Sequence, residues 1–244
     1  MFDFFVKKTE VVLECFTFDV NAYNLFQIDY GSNYVPKWWR TIKNNDLQPN
    51  EFVGAVPRPN MRGCAGFIEY FQRGLILPLW SDLIIETDFE SFRYQFSDCT
   101  SVIDTHSSEQ SGNNFTFYHH LKLKSPWFLK CKEEIHFLLS SPCWNFLKDE
   151  DVMSNFFIVP GVVEFKHQRG SNINVFVTRK ENRFEFSSGT PLGHLYPNSE
   201  KKIILKRFLV SEEEYKKLNN SNRFSFSHEY YKKLNLLKQT LKSH

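Results

Sequence analysis

The sequence predicts a mostly β fold: an antiparallel β-sandwich or jelly roll with one short internal helix and a helical C-terminal end. Three observations carry this. "SFRYQFSD" alternates with period two over Phe92, Tyr94 and Phe96, as a half-buried strand does. After a polar stretch come "FTFYHHLKLKSPWFLKC", "EIHFLLSS", "FFIVPGVV", "NINVFVTRK", "RFEFSSG", "PLGHLYP" and "KKIILKRFLV". These strand-like runs are separated by turn residues at intervals of about ten, the rhythm of a sandwich or barrel. Near the end, "SEEEYKKL" sets Glu214 three residues after Ser211, a capping box that opens a helix.

Taken in order, "TEVVLECFTFDV" is the first strand, ending near Asp19, with Val11, Leu13 and Phe16 or Phe18 on the core face. Pro36 then occupies the first position of a short helix that presses one of Trp38 and Trp39 inward. "PNEFVGAVPRPNMRGCAGF" is dense in proline and glycine and is expected to be irregular. Phe67, Tyr70 and Phe71 share one helical face, which places a helix over 66–73 with Gly74 just past its end in a left-handed cap. Pro78, inside "LILPLWSDLIIETD", marks a sheet edge or a bulge because it has no N–H for a ladder. "THSSEQSGNN" is a surface loop. Tyr230, Leu234, Leu237 and Leu241 form an apolar stripe on a second C-terminal helix, either docked on the sheet or forming a seam with a second copy. Nothing resembling a flexible linker divides the chain. The expectation is one domain over 1–244, with a β-rich body to about 210 and helices over about 211–243.

Composition narrows the function classes. Lys plus Arg total 30 against 28 Asp plus Glu, a net charge of +2, so no global field draws the chain to nucleic acid or anionic lipid. Both partners are disfavoured. Five cysteines without a C-x-x-C pair are expected to be reduced thiols in a cytosolic setting. Asp3 stands where a signal peptide wants positive charge, and no run approaches the ~20 apolar residues of a membrane span. The 26 phenylalanines predict a core filled with rings rather than branched aliphatics, where edge-to-face pairs add about 0.5–1.5 kcal/mol each.

Several residues are candidates for chemistry. One of His119 and His120 faces inward. With His136 or His194 and the carboxylate of Glu164 it could compose a two-histidine, one-carboxylate metal site on a jelly roll. The sequence lacks the short H-x-D/E doublet such sites use, so hydrogen-bonded structural histidines are the preferred reading. Trp38 and Trp39 beside Lys37 and Arg40 suit base stacking, although core anchoring explains them more simply. Arg58 and Arg62 ahead of the "GFIEYFQR" helix suit an anion, against the plainer reading of a solvated loop. Strand alternation puts Trp80 and Asp82 on one face, so an inward Trp80 brings in a carboxylate that needs a donor, Arg62 or the Trp39 N–H. In "FSSGTPLGHLYP", Gly189 suits positive φ, and His194 and Tyr196 share a face. That motif is either a sheet corner or a ligand contact.

The segments "VPKWWR", "RGCAGFIEYFQRGLILPLWSDL", "LKSPWFLKC", "VPGVVE", "NVFVTRK" and "FSSGTPLGHLYP", in this order from about Val35 to Pro197, resemble a family of unknown function. That family occurs in tailed phages of marine cyanobacteria and is scattered through bacteria. The resemblance implies a β-rich phage protein, in keeping with the A·T-rich bias of its Phe, Asn and Lys usage, and brings no catalytic residues or cofactor with it. The leading expectation is a phage-encoded accessory protein, a binding domain without catalysis, in the host cytoplasm. The series from "PGVVE" to "GTPLGHL" is also similar in rhythm to the trimeric deoxyuridine triphosphatases, with Glu164 at their acidic position. The serine-containing phosphate loop and C-terminal glycine motif of those enzymes are not found. Two alternatives follow: a metal- or nucleotide-dependent enzyme using Glu164, His194 and Asp82, and a virion structural protein. The latter would contact copies of itself or other phage proteins through the C-terminal helix.

Overall fold

The computed structural model describes residues 9–43, 47–50, 52–57, 60–111, 114–142, 144, 150–167 and 170–220, with helical positions at 232, 235 and 239. The chain opens with β1 (Glu10–Thr17), α1 (Val20–Asn24), β2 (Asp29–Tyr30), α2 (Lys37–Arg40), β3 (Leu47–Asn50) and β4 (Gly54–Pro57). It continues through α3 (Ala65–Arg73), β5 (Leu75–Pro78), β6 (Leu83–Thr87), β7 (Phe92–Phe96), β8 (Ile103–Thr105), β9 (Tyr118–Leu123), β10 (Phe128–Cys131) and β11 (His136–Ser140). Then follow α4 (Glu150–Asn155), β12 (Phe156–Ile158), β13 (Gly161–Glu164), β14 (Ile173–Thr178), β15 (Asn182–Phe186), β16 (Pro191–Pro197), β17 (Lys202–Leu209) and α5 (Glu212–Asn220).

The strands form a five-stranded sheet, β13-β11-β16-β5-β2, and a four-stranded sheet, β12-β14-β9-β8. Two three-stranded sheets, β10-β1-β17 and β15-β6-β7, and the β3–β4 hairpin complete the set. The fold is mostly β, as expected, and consistent with a sandwich. The four-stranded sheet meets the five-stranded one at Gly193, where a built Cβ would stand 3.6 Å from Ile173 Cδ1. It meets the β15-β6-β7 sheet through Phe156, whose ring lies 4.9 Å from that of Phe186 and 5.9 Å from that of Phe184. One continuous apolar core runs through these layers. Trp127, Phe128, Phe137, Phe165 and Phe184 are its largest fully buried side chains, with Leu and Ile filling between them, so rings share the interior with aliphatics rather than dominate it.

β1 pairs antiparallel with β10 but parallel with β17, in register from Glu10↔Lys202 to Thr17↔Leu209. The outer edge of β17 is tied down by the chain around β2. Arg207 donates to the Ile28 carbonyl at 2.8 Å and to Asp29 at 2.7 Å. The Tyr30 hydroxyl donates to the Ile203 carbonyl at 3.1 Å and accepts from the Leu205 N–H at 3.4 Å. These bonds occupy groups that an eight-residue edge strand would otherwise offer to another chain.

Local expectations fare unevenly. In β1 the buried face is Val11, Leu13, Cys15 and Thr17. Phe16 is on the other face, stacked on Phe208 at 5.0 Å and edge-on to Phe128 at 6.4 Å. The stretch expected to be irregular contains the β3–β4 hairpin; Pro49 and Pro57 fit there because both strands are edges. Pro78 ends β5 opposite Pro191, where the register shifts, which is the expected bulge. In β7 only Phe96 is fully buried, and Tyr94 is exposed. The helix over 66–73 is α3, with Phe67 and Phe71 buried. Gly74, however, is extended (φ −74°, ψ 157°) rather than left-handed. Tyr230 to Leu241 lie outside the described residues, apart from the helical positions named.

The capping box of α5 forms as read. The Glu214 N–H donates to Ser211 Oγ at 3.2 Å, and the Ser211 N–H donates to Glu214 at 3.0 Å. This pairing holds the Glu214 carboxyl below its usual range. Ser211→Ala is expected to cost about 1 kcal/mol of helix stability, measured as faster amide exchange at Glu214.

Candidate functional site

Alternation along β9 turns His119 inward and His120 outward. His119 is buried and bonded through Nε2 to the Asp88 carbonyl at 3.0 Å. His120 lies opposite Phe176 of β14, its ring 4.7 Å from that phenyl and 4.2 Å from the imidazole of His106. His106 stands just past β8, where its Nε2 meets the Asn174 side-chain oxygen at 3.2 Å and its Nδ1 bonds to Gln110. Phe115 stacks on Phe176 from outside at 4.7 Å. Arg179 follows β14 directly and is held by its own N–H on the Phe117 carbonyl at 2.9 Å.

His106, Phe115, His119, His120 and Arg179 line one pocket of about 350 Å³. Its aromatic lining is Phe92, Phe115 and Tyr118; its polar lining is Arg179, three histidines, Thr105, Ser107 and Thr116. No carboxylate side chain is among the described lining residues. Both ring nitrogens of His120 and the Nε of Arg179 are buried without a hydrogen-bond partner among the described residues. Buried polar groups are rarely left so, because each unmade bond costs about 1–3 kcal/mol. Burial, and then the neighbouring His106, hold the His120 imidazole below its ordinary range, so near pH 7 the free pocket carries it neutral.

The other sequence candidates are dispersed. His194 is fully buried between α3 and the five-stranded sheet, its ring 3.8 Å from that of Tyr70. Glu164 is buried on β13 opposite His136, with His136 Nε2 at 4.0 Å and His167 Nε2 at 3.8 Å from its two oxygens. His194 pairs with Ser140, four residues along β11 from His136, roughly 13 Å at strand rise. Glu164 and His194 therefore do not form one site. No cluster of three metal-ligating side chains exists among the described residues.

Asp82 is exposed, not on the face of Trp80. Residues 80–82 make a bend rather than a strand, and the carboxylate accepts the Ser188 N–H at 2.7 Å. That bond lowers its pKa. Trp80 is buried, its indole N–H donating to Ser101 at 2.6 Å. Trp38 and Trp39 are both half-buried, packed on Phe67 and donating to the carbonyls of Trp144 (3.0 Å) and Met61 (3.1 Å), which is anchoring. Arg62 donates to the Ile42 carbonyl at 2.7 Å beside α2, so its guanidinium ties the loop ahead of α3 to α2. Arg58 lies outside the described residues.

The segment containing Leu79 packs against "FSSGTPLGHLYP". The Leu79 N–H donates to the Thr190 carbonyl at 2.8 Å and the Gly189 N–H to the Leu79 carbonyl at 2.7 Å. Gly189 turns between them at φ +81°, a conformation glycine adopts freely. "FSSGTPLGHLYP" is thus the corner of a sheet. No protein-family model matches the chain, and no curated protein matches it.

Proposed function

We propose that the chain is a phage-encoded accessory protein, a binding domain without catalysis, whose ligand is a small oxyanion held in the pocket at His106, His120 and Arg179. The observation that supports this is the convergence, in one pocket, of a buried guanidinium nitrogen and two buried imidazole nitrogens that lack partners. A carboxylate or phosphate supplies the missing acceptors, and charge-assisted bonds to Arg are the stronger kind. The phage assignment rests on the order of the sequence motifs.

The test is calorimetric titration of the purified protein with inorganic phosphate. Wild type is expected to bind. Arg179→Ala is expected to weaken binding at least tenfold, as loss of a hydrogen bond to a charged group worth about 1.5–3 kcal/mol implies. Unchanged affinity in Arg179→Ala sinks the reading.

Binding should also depend on pH in one direction. Burial and the neighbouring His106 hold the free His120 below its ordinary range, and a bound anion raises its pKa. Measured with sulfate, an oxyanion that stays fully ionised over this range, affinity is therefore expected to rise as pH falls from 8 towards 6, with proton uptake seen as a buffer-dependent heat. His120→Gln should flatten that profile.

A further inference from the structure

We infer that the occupant of this pocket is a nucleoside monophosphate, its phosphate on Arg179 and His120 and its base against the ring wall. This rests on the oxyanion reading above and specifies the molecule that carries the anion. Thr105, Ser107 and Thr116 join Arg179 and His120 among the residues lining the pocket, and a phosphate ester offers three peripheral oxygens to such a lining where a carboxylate offers two. The pocket, at about 350 Å³, is also much larger than a phosphate and falls in the range of sites for small organic ligands. What remains after the phosphate is placed is bounded by Phe92, Phe115 and Tyr118.

Those rings do not stack on one another across the pocket. Phe115 rests on Phe176 and Tyr118 packs near Phe176 and Phe157, while Phe92 lies against Tyr94 and His119. Phe115 keeps 47% of its surface exposed, so one face of a planar base can cover it at little cost to the fold. Stacking accepts any base, since each has a π face, and the structure favours no particular one.

The experiment compares adenosine and uridine 5′-monophosphates with ribose 5-phosphate by calorimetry on the full chain. Both nucleotides are expected to bind roughly 5- to 150-fold more tightly than ribose 5-phosphate, the range one stacked base provides. Phe115→Ala should remove most of that difference, read as the ratio of the nucleotide and ribose 5-phosphate affinities measured on the same variant. Equal affinity for ribose 5-phosphate and the nucleotides overturns the nucleotide assignment and leaves the oxyanion reading standing. Absence of binding by every phosphate compound overturns both.

Discussion

Gly74→Ala is expected to destabilise the protein by about 3 kcal/mol or more, the upper part of the range for forcing extra atoms into a packed site. A methyl built on Gly74 would stand 1.8 Å from His194 Nε2 and 2.6 Å from the Tyr70 carbonyl oxygen. Neither neighbour can yield easily. The Tyr70 carbonyl accepts the Gly74 N–H at 3.2 Å, and His194 is fully buried on β16, one strand from β5. For a chain of 244 residues, 3 kcal/mol lowers the melting temperature by about 6–12 °C, readable by calorimetry. The cause is steric and specific, so adding His194→Ala to Gly74→Ala should recover part of the loss. The two substitutions are expected to be strongly non-additive. Gly66→Ala is the control: it lies inside α3, the helix that Gly74 follows, meets nothing within 4 Å, and should be neutral or mildly stabilising. Equal damage from both glycine substitutions would defeat the steric account.

That close approach shows what a sequence reading reaches and what it does not. Period-two runs identified most of the strands because half-buried strands must alternate. α3 was legible from Phe67, Tyr70 and Phe71, and the capping box from Ser211 and Glu214. Gly74 was legible as a necessary glycine but for the wrong cause. Its partner His194 lies 120 residues away, and only the pairing of Ile76 with His194 in adjacent strands brings them together. In β1 the hydrophobicity of Phe16 suggested the core face, yet the strand uses both faces. Its phase is set by Leu13 and Cys15, with Phe16 covered by β17. Asp82 was misplaced because alternation was carried through a bend. The pocket is half visible in the sequence: His119 and His120 are adjacent on a strand, so one of them must face inward. Arg179 and His106 carry no such signal. Arg179 is the first cation past the strand run "NVFVT", and His106 hides in a polar loop. Neither position signals that two strand ends and the loop after β8 meet.

His194 also makes stability depend on pH in a defined window. Burial in a largely apolar setting pushes its pKa down from 6.5 to about 4, and the nearby Tyr70 carbonyl offsets this only in part. The unfolded chain keeps the ordinary value, so between the two the unfolded state binds the extra proton and is favoured. Stability is present in full above about pH 6.5 and is lost as pH falls through about 4, below which the loss levels off. A shift of that size corresponds to about 3 kcal/mol. The Asp98 carboxyl, also partly buried, is held down at about 2 by bonds from Ser101, Ser81 and Thr100. Its contribution is lost at lower pH, from the ordinary Asp range downward, and does not overlap the upper part of the histidine window. Denaturant midpoints taken from pH 7 to pH 4.5 should fall steeply in wild type. His194→Leu, which keeps the volume and cannot ionise, should flatten that slope whatever its stability at pH 7. In NMR the His194 ring should hold one chemical shift from pH 7 to 5 while exposed histidines titrate. A His194 resonance moving with a midpoint near 6.5 would show that the ring reaches water, and the buried-neutral account would fail with it.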